Sequence, residues 1–406
     1  MKNRISALLL GTALTFATAG VALAQDKTVK IGALSDQSGL YSDLGGPGST
    51  LAAQMAVEDS GLLAKGWKID VISGDHQNKP DIGSTIARQW FDVDKVDIIV
   101  DVPNSGVALA VNNIVKEKNG VYINSGAATS DLTNAQCTPN TVHWTYDTYM
   151  LAHSTGQALV KSGGDTWFFL TADYAFGAAL ERDTTAVITA NGGKVLGSVK
   201  HPLNTSDFSS FLLQAQSSKA KIIGLANAGG DTTNSIKQAA EFGIVSGGQK
   251  LAARLLFLTD VKALGLDVAQ GLNFTETFYW DMNDQTRAFS KRFAERAKGH
   301  AMPSMVQAGV YAGLRHYFKA LEALGGNPHD GAKVVEKMKS IPTEDDLFGK
   351  GEIQPNGRAI HPAYLFEVKK PSESKGPWDF YKLVATVPAD QAFTPLSESK
   401  CALLKK

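Results

Sequence analysis

Cysteine is almost absent from this 406-residue chain, which has only Cys137 and Cys401. Neither belongs to a C-x-x-C pair or stands near a histidine at ligand spacing, which excludes a thiolate metal site. Beyond the N-terminus no apolar run approaches the roughly 20 residues of a membrane span. Basic residues are not in excess, 40 against 40 acidic. They form no patch or stripe of the kind that nucleic-acid binding needs. Catalytic signatures are missing too. There is no G-x-S-x-G, H-E-x-x-H or G-x-x-x-x-G-K-[ST], and Gly45, Gly46 and Gly48 do not fit G-x-G-x-x-G. Asp75-His76 could form an acid/base pair, but it lacks a neighbouring nucleophile, and His76 could equally bond within its loop or touch a ligand. The chain is therefore expected not to be an enzyme and to need no cofactor.

What is present begins with Lys2 and Arg4, an apolar stretch to about Leu23, and the small-residue sequence Ala22-Leu23-Ala24 before Gln25. That is the order of a cleaved secretory signal. The Gly, Thr and Ala that dilute the stretch argue against an anchor. Residues 1–24 are set aside as a signal peptide, and the mature protein is expected in the periplasm. Without Lys2 and Arg4 the balance is 38 basic to 40 acidic residues, about −2. The remainder is long enough for two domains of ordinary size, each with its own core. In an oxidising compartment Cys137 and Cys401 are expected to pair, closing a loop over most of the mature chain and tying down its tail. The alternative is two unpaired thiols.

From Val29 onward, short β-branched or aromatic runs alternate with amphipathic stretches. VKIGAL and WKIDVISGD read as strands flanking a helix near residues 51–62, followed by a helix at 82–91, a strand at 96–102, a helix at 107–118 and a strand at 120–124. After residues 141–148 the order repeats. A helix at 149–161 precedes strands at 166–171, 194–199, 221–226 and 255–258, separated by helices at 178–191, 208–216 and 231–242. Helices at 284–298 and 305–324 and a strand-rich tail from Gly349 complete the chain. This grammar predicts an α/β protein of two Rossmann-like lobes, each a parallel-rich sheet covered by helices.

In open sheets of this kind, ligands bind outside the carboxyl ends of the strands. The first lobe offers Ser38, Leu40 and Tyr41 in SDQSGLY, then Gly45 to Gly48 with Ser49 or Thr50 as a helix cap, then Asn104-Ser105-Gly106, and then Ala127, Ala128 and Thr129 in SGAATS. Small hydroxyl residues beside glycines at helix starts present N–H and O–H donors to an anion. Ser105, Ala127, Ala128 and Thr129 are expected to cradle a carboxylate. The plainer reading, loop and cap chemistry, accounts for any one loop by itself. The second lobe offers Tyr174 and Phe176 in DYAFG, Asn227, Asp260 and Trp280. The aromatics could stack on a flat ligand, with Asn227 and Asp260 as polar contacts. Packing between the lobes would explain the same aromatics.

The segments VKIGALSDQSGLYSDLGG, DIIVDVPNSGVALAV, GVYINSGAATSDLT, DYAFG, DFSSFLLQAQ and ETFYWDM resemble those of type I periplasmic binding proteins of the leucine/isoleucine/valine-binding class, which serve ABC transporters. The likeness runs through the mature chain. It implies a three-segment hinge crossed near residues 145–148, 275–279 and 356–361. It also implies lobes of residues 25–147 plus 279–357 and of residues 148–278 plus 358–406, closing over a small carboxylate, and a monomer that delivers its ligand to an inner-membrane permease. By position, Ser105 and the Gly126 to Thr129 loop match the family's carboxylate cradle, and Asp260 lies near its acidic ammonium partner. Phe176 and Leu44 stand where tyrosines are usual. With SGDHQNKPD and NSGAATSDLT, those departures are similar to a subgroup that binds aromatic acids such as benzoates or phenylpropenoids. A branched-chain amino acid, an amide, or service to a signalling receptor remain the alternatives.

Overall fold

Ile98, Ile99 and Val100 are buried along one strand, and Val121, Tyr122 and Ile123 along the next. Such runs suit parallel strands covered on both faces. In the computed structural model, which describes residues 27–161 and 163–404, they form the middle of the first of two parallel sheets. The expected signal sequence lies outside the described residues.

The first lobe is built from β1 (Thr28–Ser35), α1 (Gly46–Glu58), β2 (Lys68–Asp75), α2 (Pro80–Gln89), β3 (Ile98–Asp101), α3 (Ser105–Lys118), β4 (Val121–Asn124) and β5 (Thr141–His143). All neighbours are parallel, in the order β2-β1-β3-β4-β5. The chain then passes to the second lobe through α4 (Thr148–Lys161), β6 (Thr166–Ala172), α5 (Ala175–Ala190), β7 (Lys194–His201), α6 (Ser209–Ser217), β8 (Ile222–Ala226), α7 (Gly230–Glu241), β9 (Lys250–Ala253), α8 (Leu258–Leu264), α9 (Leu266–Ala269) and β10 (Asn273–Glu276). Here the parallel order is β7-β6-β8-β9.

A second passage leads back to α10 (Asp284–Arg296), α11 (Met305–Ala323), α12 (Gly331–Ser340) and the small antiparallel sheet β11 (Thr343–Asp345), β12 (Gly349–Ile353), β13 (Ala359–Ile360). A third leads to β14 (Ala363–Val368) and β15 (Tyr381–Val387), which join β10 in an antiparallel sheet, before α13 (Ala389–Ala392). In the first lobe α2 and α3 cover one face of the sheet and α1, α11 and α12 the other. Ion pairs Arg292–Asp59 and Arg296–Glu58 seat α10 beside α1.

The segment between β5 and α4 is joined to the one before β14 by a buried ion pair. Arg358 Nη1 lies 3.4 Å from Asp147 Oδ2, with both side chains 1% exposed. The Arg358 guanidinium also stacks on Phe393, 4.0 Å from the ring centre. Past Phe393 the chain end returns to the first lobe. Ser399 Oγ donates to the Thr133 carbonyl, and Cys401 is disulfide-bonded to Cys137, 264 residues away, with Cα atoms 5.5 Å apart. This corrects the expectation that all of residues 358–406 stay with the second lobe.

Three local expectations also change. α1 starts at Gly46 without a side-chain cap, so Ser49 sits buried inside the helix. Pro47 suits a first helical turn, where its missing N–H costs nothing. The apolar run at 255–258 is no strand: β9 ends at Ala253, and Leu258 opens α8, whose Asp260 Oδ2 accepts from Phe257 N at 2.9 Å. A short buried apolar run has no period that separates strand from helix. Finally, α12 was not expected, although Asp330 caps it and Val334, Val335 and Met338 form its buried face.

Candidate functional site

A sheet ordered 2-1-3-4-5 reverses direction between its first and third strands, and the crevice beyond their carboxyl ends is where such folds receive ligands. In the first lobe those ends carry Tyr41 and Leu44 after β1 and Pro103 after β3. In the second lobe, where β6 and β8 play the same parts, they carry Tyr174, Phe176 and Ala228. The two crevices face each other. Ala128, Tyr146, Leu255 and Phe257 complete the lining.

Asp36 folds the loop that presents Tyr41, its carboxylate accepting from Gly39 N at 2.7 Å, Tyr41 N at 2.8 Å and Asn78 Nδ2 at 2.5 Å. The Tyr41 hydroxyl meets that of Tyr174 at 2.6 Å, bridging the lobes. Burial raises the proton affinity of both phenols, so they act as neutral hydrogen-bonding groups. Tyr146 donates to the Gly126 carbonyl at 2.5 Å and packs edge-on against Phe257, with ring centres 5.8 Å apart. Leu40 lies against Gly229 and Gly230. Gly229, at φ +59°, would bring a Cβ within 3.0 Å of the Leu40 carbonyl. To one side Ser130 Oγ donates to Asp183 Oδ2 at 2.8 Å, and Arg182 pairs with Asp131. The lobes are shut, and the free volume between them is about 10 Å³, room for about one water.

Of the expected residues, Tyr41, Ala128, Tyr174 and Phe176 come together here. Leu44, noted only as a departure from a usual tyrosine, joins them, and Pro103, Tyr146, Ala228, Leu255 and Phe257 were missed. Tyr146 follows the last strand of its sheet, where no motif marks it. Leu255 and Phe257 were obscured by reading their segment as a strand.

The remaining expected residues lie outside this lining, most of them engaged by neighbours. Ser38 is exposed and bonds Asp75, at 3.2 Å. His76 is buried, its Nδ1 accepting from Asn78 N at 3.0 Å, and burial pushes it down to about 4, which keeps it neutral. Asn104 caps α3 through Gly106 N and Val107 N. Ala127 N is taken by Asn124 Oδ1, and Thr129 Oγ1 accepts from Asp131 N. Ser105 Oγ accepts from Thr129 N at 3.3 Å and donates to no acceptor among the described residues, so its proton is uncommitted. Asn227 is held by His201, Thr232 and Ser235. Trp280 lies outside the cleft lining and donates from Nε1 to the Trp378 carbonyl at 2.8 Å. Asp260, spent on the α8 cap, is pushed up to about 7 by burial against the pull of Phe257 N–H.

A family profile described as periplasmic binding protein matches residues 28–376. A periplasmic binding protein of Burkholderia mallei is 53% identical and superposes with a TM-score of 0.89, over 93% of this chain and 100% of that one. The Leu/Ile/Val-binding protein homolog 6 of Brucella melitensis is 26% identical over 367 residues, 88% of this chain and 92% of that one. A solute-binding protein of an ABC transporter from R. palustris, in complex with benzoate, has the same fold at 21% identity, with a TM-score of 0.80 over 92% of this chain and 99% of that one. These relatives are solute-binding proteins and not enzymes, and their family is periplasmic. Among the described residues no helix is long and apolar enough to cross a membrane. With two α/β lobes facing across a cleft and a profile match over most of its length, the chain belongs to the periplasmic binding protein family.

Proposed function

We propose that this protein captures a small aromatic carboxylate of the benzoate or phenylpropenoid kind between its lobes and delivers it to an ABC permease of the inner membrane. The observation that carries the reading is the lining itself: aromatic and aliphatic side chains with three tyrosine hydroxyls, and no carboxylate. An amino acid would bring an ammonium group that needs an acidic partner on burial. Of the acids near it, Asp260 is committed to Phe257 N and Asp231 to the N–H groups of Asn204 and Thr205, and none, the buried Asp101 included, lines the cleft. The uncommitted Ser105 hydroxyl, beside the Ala128 loop, is the donor we assign to the carboxylate. The R. palustris solute-binding protein of the same fold, in complex with benzoate, supports this reading.

A cleft with room for one water must open to admit a ring. We assign that motion to the three chain crossings, flexing between an open form and the closed one. A ligand shifts that equilibrium only by its differential affinity for the closed form. The test is a thermal-shift panel on the purified mature protein, since a ligand that binds only the folded state raises its midpoint. Benzoate and cinnamate are expected to raise it while leucine and valine do not. A shift with leucine alone would replace this reading with the branched-chain one suggested by the Brucella relative's name.

A further inference from the structure

Asp101 ends β3 in a strained backbone. Its φ is +76° and that of Val102 is +59°. A β-branched residue in the left-handed region is an outlier, and such strain persists only where its surroundings over-determine it. The next residue, Pro103, lines the cleft, so the strained pair immediately precedes a cleft residue.

The Asp101 carboxyl group is fully buried and wedged between two glycine loops. A Cβ on Gly45 would stand 2.7 Å from Oδ2, and one on Gly126 would collide with Oδ1 and the Pro103 backbone. Ser35 Oγ donates to Oδ2 at 2.7 Å and accepts from Gly46 N at 2.8 Å, while Oδ1 has no hydrogen-bond partner. Gly45 adjoins Leu44 of the cleft, and Gly126 is two residues from Ala128. One carboxyl group thus underlies both loops. No cation is paired with it among the described residues. The titratable groups that face it are Asp36, Tyr122, whose hydroxyl reaches the Asp101 carbonyl at 3.4 Å, and Tyr146. Burial pushes the carboxyl up to about 6, with Asp36 adding to the rise. The hydroxyl of Ser49, which faces it without hydrogen-bond geometry, and that of Ser35 pull the other way.

We propose that Asp101 is a positioning residue for an anionic ligand, clamping the Gly45 and Gly126 loops from beneath and taking up a proton as the cleft receives a carboxylate. The proposal rests on the carboxylate reading of the ligand. Two negative charges sharing a water-poor region repel, so one of them tends to be neutralised. Linkage then makes the effect reciprocal: anion binding favours the proton, and the proton favours the anion.

The test is benzoate titration calorimetry from pH 5 to 8, in buffers of different ionisation heat, on the wild type and Asp101→Asn. Asparagine tolerates a positive φ and keeps the shape of the group without its charge. Wild-type affinity is expected to fall above pH 6 by up to about tenfold per pH unit, with little proton uptake at about pH 5 and up to about one proton taken up per benzoate above pH 6. D101N is expected to show a flat profile and no uptake. Equal slopes in the two proteins would overturn the proposal. So would binding to the wild type above about pH 6 without proton uptake, a result that needs no variant to fold. If benzoate binds at no pH, the ligand reading fails, and ligand-free melting decides for Asp101. Its neutral form favours the folded state below about pH 4, an advantage lost as pH rises through about 6. Flattening of that change in D101N supports the buried clamp, and an unchanged profile overturns it.

Discussion

Tyr41 and Tyr174 come from opposite lobes, and their hydroxyls share a hydrogen bond of 2.6 Å across the cleft. A ring entering the cleft must part them. Tyr174→Phe removes the bond while keeping the aromatic wall. A typical intramolecular hydrogen bond is worth about 1 kcal/mol net, which corresponds to about fivefold in an equilibrium. The variant is expected to bind benzoate about fivefold more tightly and to show a larger ligand-free radius of gyration by X-ray scattering. Weaker binding with unchanged compaction would make Tyr174 a direct ligand contact instead of a latch.

Arg358 and Asp147 test what holds the crossings together. Removing one partner of a buried ion pair leaves an uncompensated charge, at a cost of about 3–5 kcal/mol. Arg358→Leu is expected to lose that much stability in urea unfolding, partly because its stacking on Phe393 is also lost. Adding Asp147→Asn should recover much of the loss. If the double variant is no more stable than the single one, the stacking and not the charge carries the effect.

Asp260 gives a pH signature. Its folded pKa, about 7, lies above the usual carboxylate value because burial penalises the charge. The stability that comes from its neutral form is complete below about pH 4 and disappears as pH rises through about 7. Asp260→Asn can still accept from Phe257 N and never ionises. It is expected to match the wild type at pH 4 and to exceed it at pH 8 by a few kcal/mol, because each tenfold change in proton affinity between the folded and unfolded chain is worth about 1.4 kcal/mol. Denaturant titrations at the two pH values measure the difference, and equal gaps at both would contradict the assignment.

The Cys137–Cys401 bond closes a long loop, and removing such a native bond typically costs about 2–5 kcal/mol. Cys401→Ser should lose that much in urea unfolding. Mild reduction of the wild type should reproduce the loss, whereas an unmoved midpoint would mean that the tail contributes nothing to stability.

The sheets were legible because their strands alternate with helices at regular spacing, and strand order then places the cleft by the switch-point rule, with Tyr41, Tyr174 and Phe176 at its edges. The donors were harder to read. Asn104, Ala127 and Asn227 belong to suitable loops, but each is consumed by a neighbour, Asn104 by the α3 turn, Ala127 by Asn124 and Asn227 by His201. Composition reveals which loops hold hydrogen-bonding groups and not which groups are already bonded. Trp280 shows the same limit for aromatics, since its partner Trp378 is 98 residues away in sequence. Tyr146 and Phe257 were invisible for a further reason: they line the cleft through a contact with each other that no local pattern encodes.

The returning tail has a mechanical consequence. Three peptide crossings join the lobes, and the stretch from β15 through Phe393 to Cys401 makes a fourth covalent path, running beside Arg358 and His361 and anchored at Cys137. Each path is a constraint on rigid-body freedom. In the proposed opening motion, four of them would leave bending as the soft mode and stiffen the molecule against twist and shear. In the proposed opening and closing, the two crevices would therefore return to the same register each time they meet.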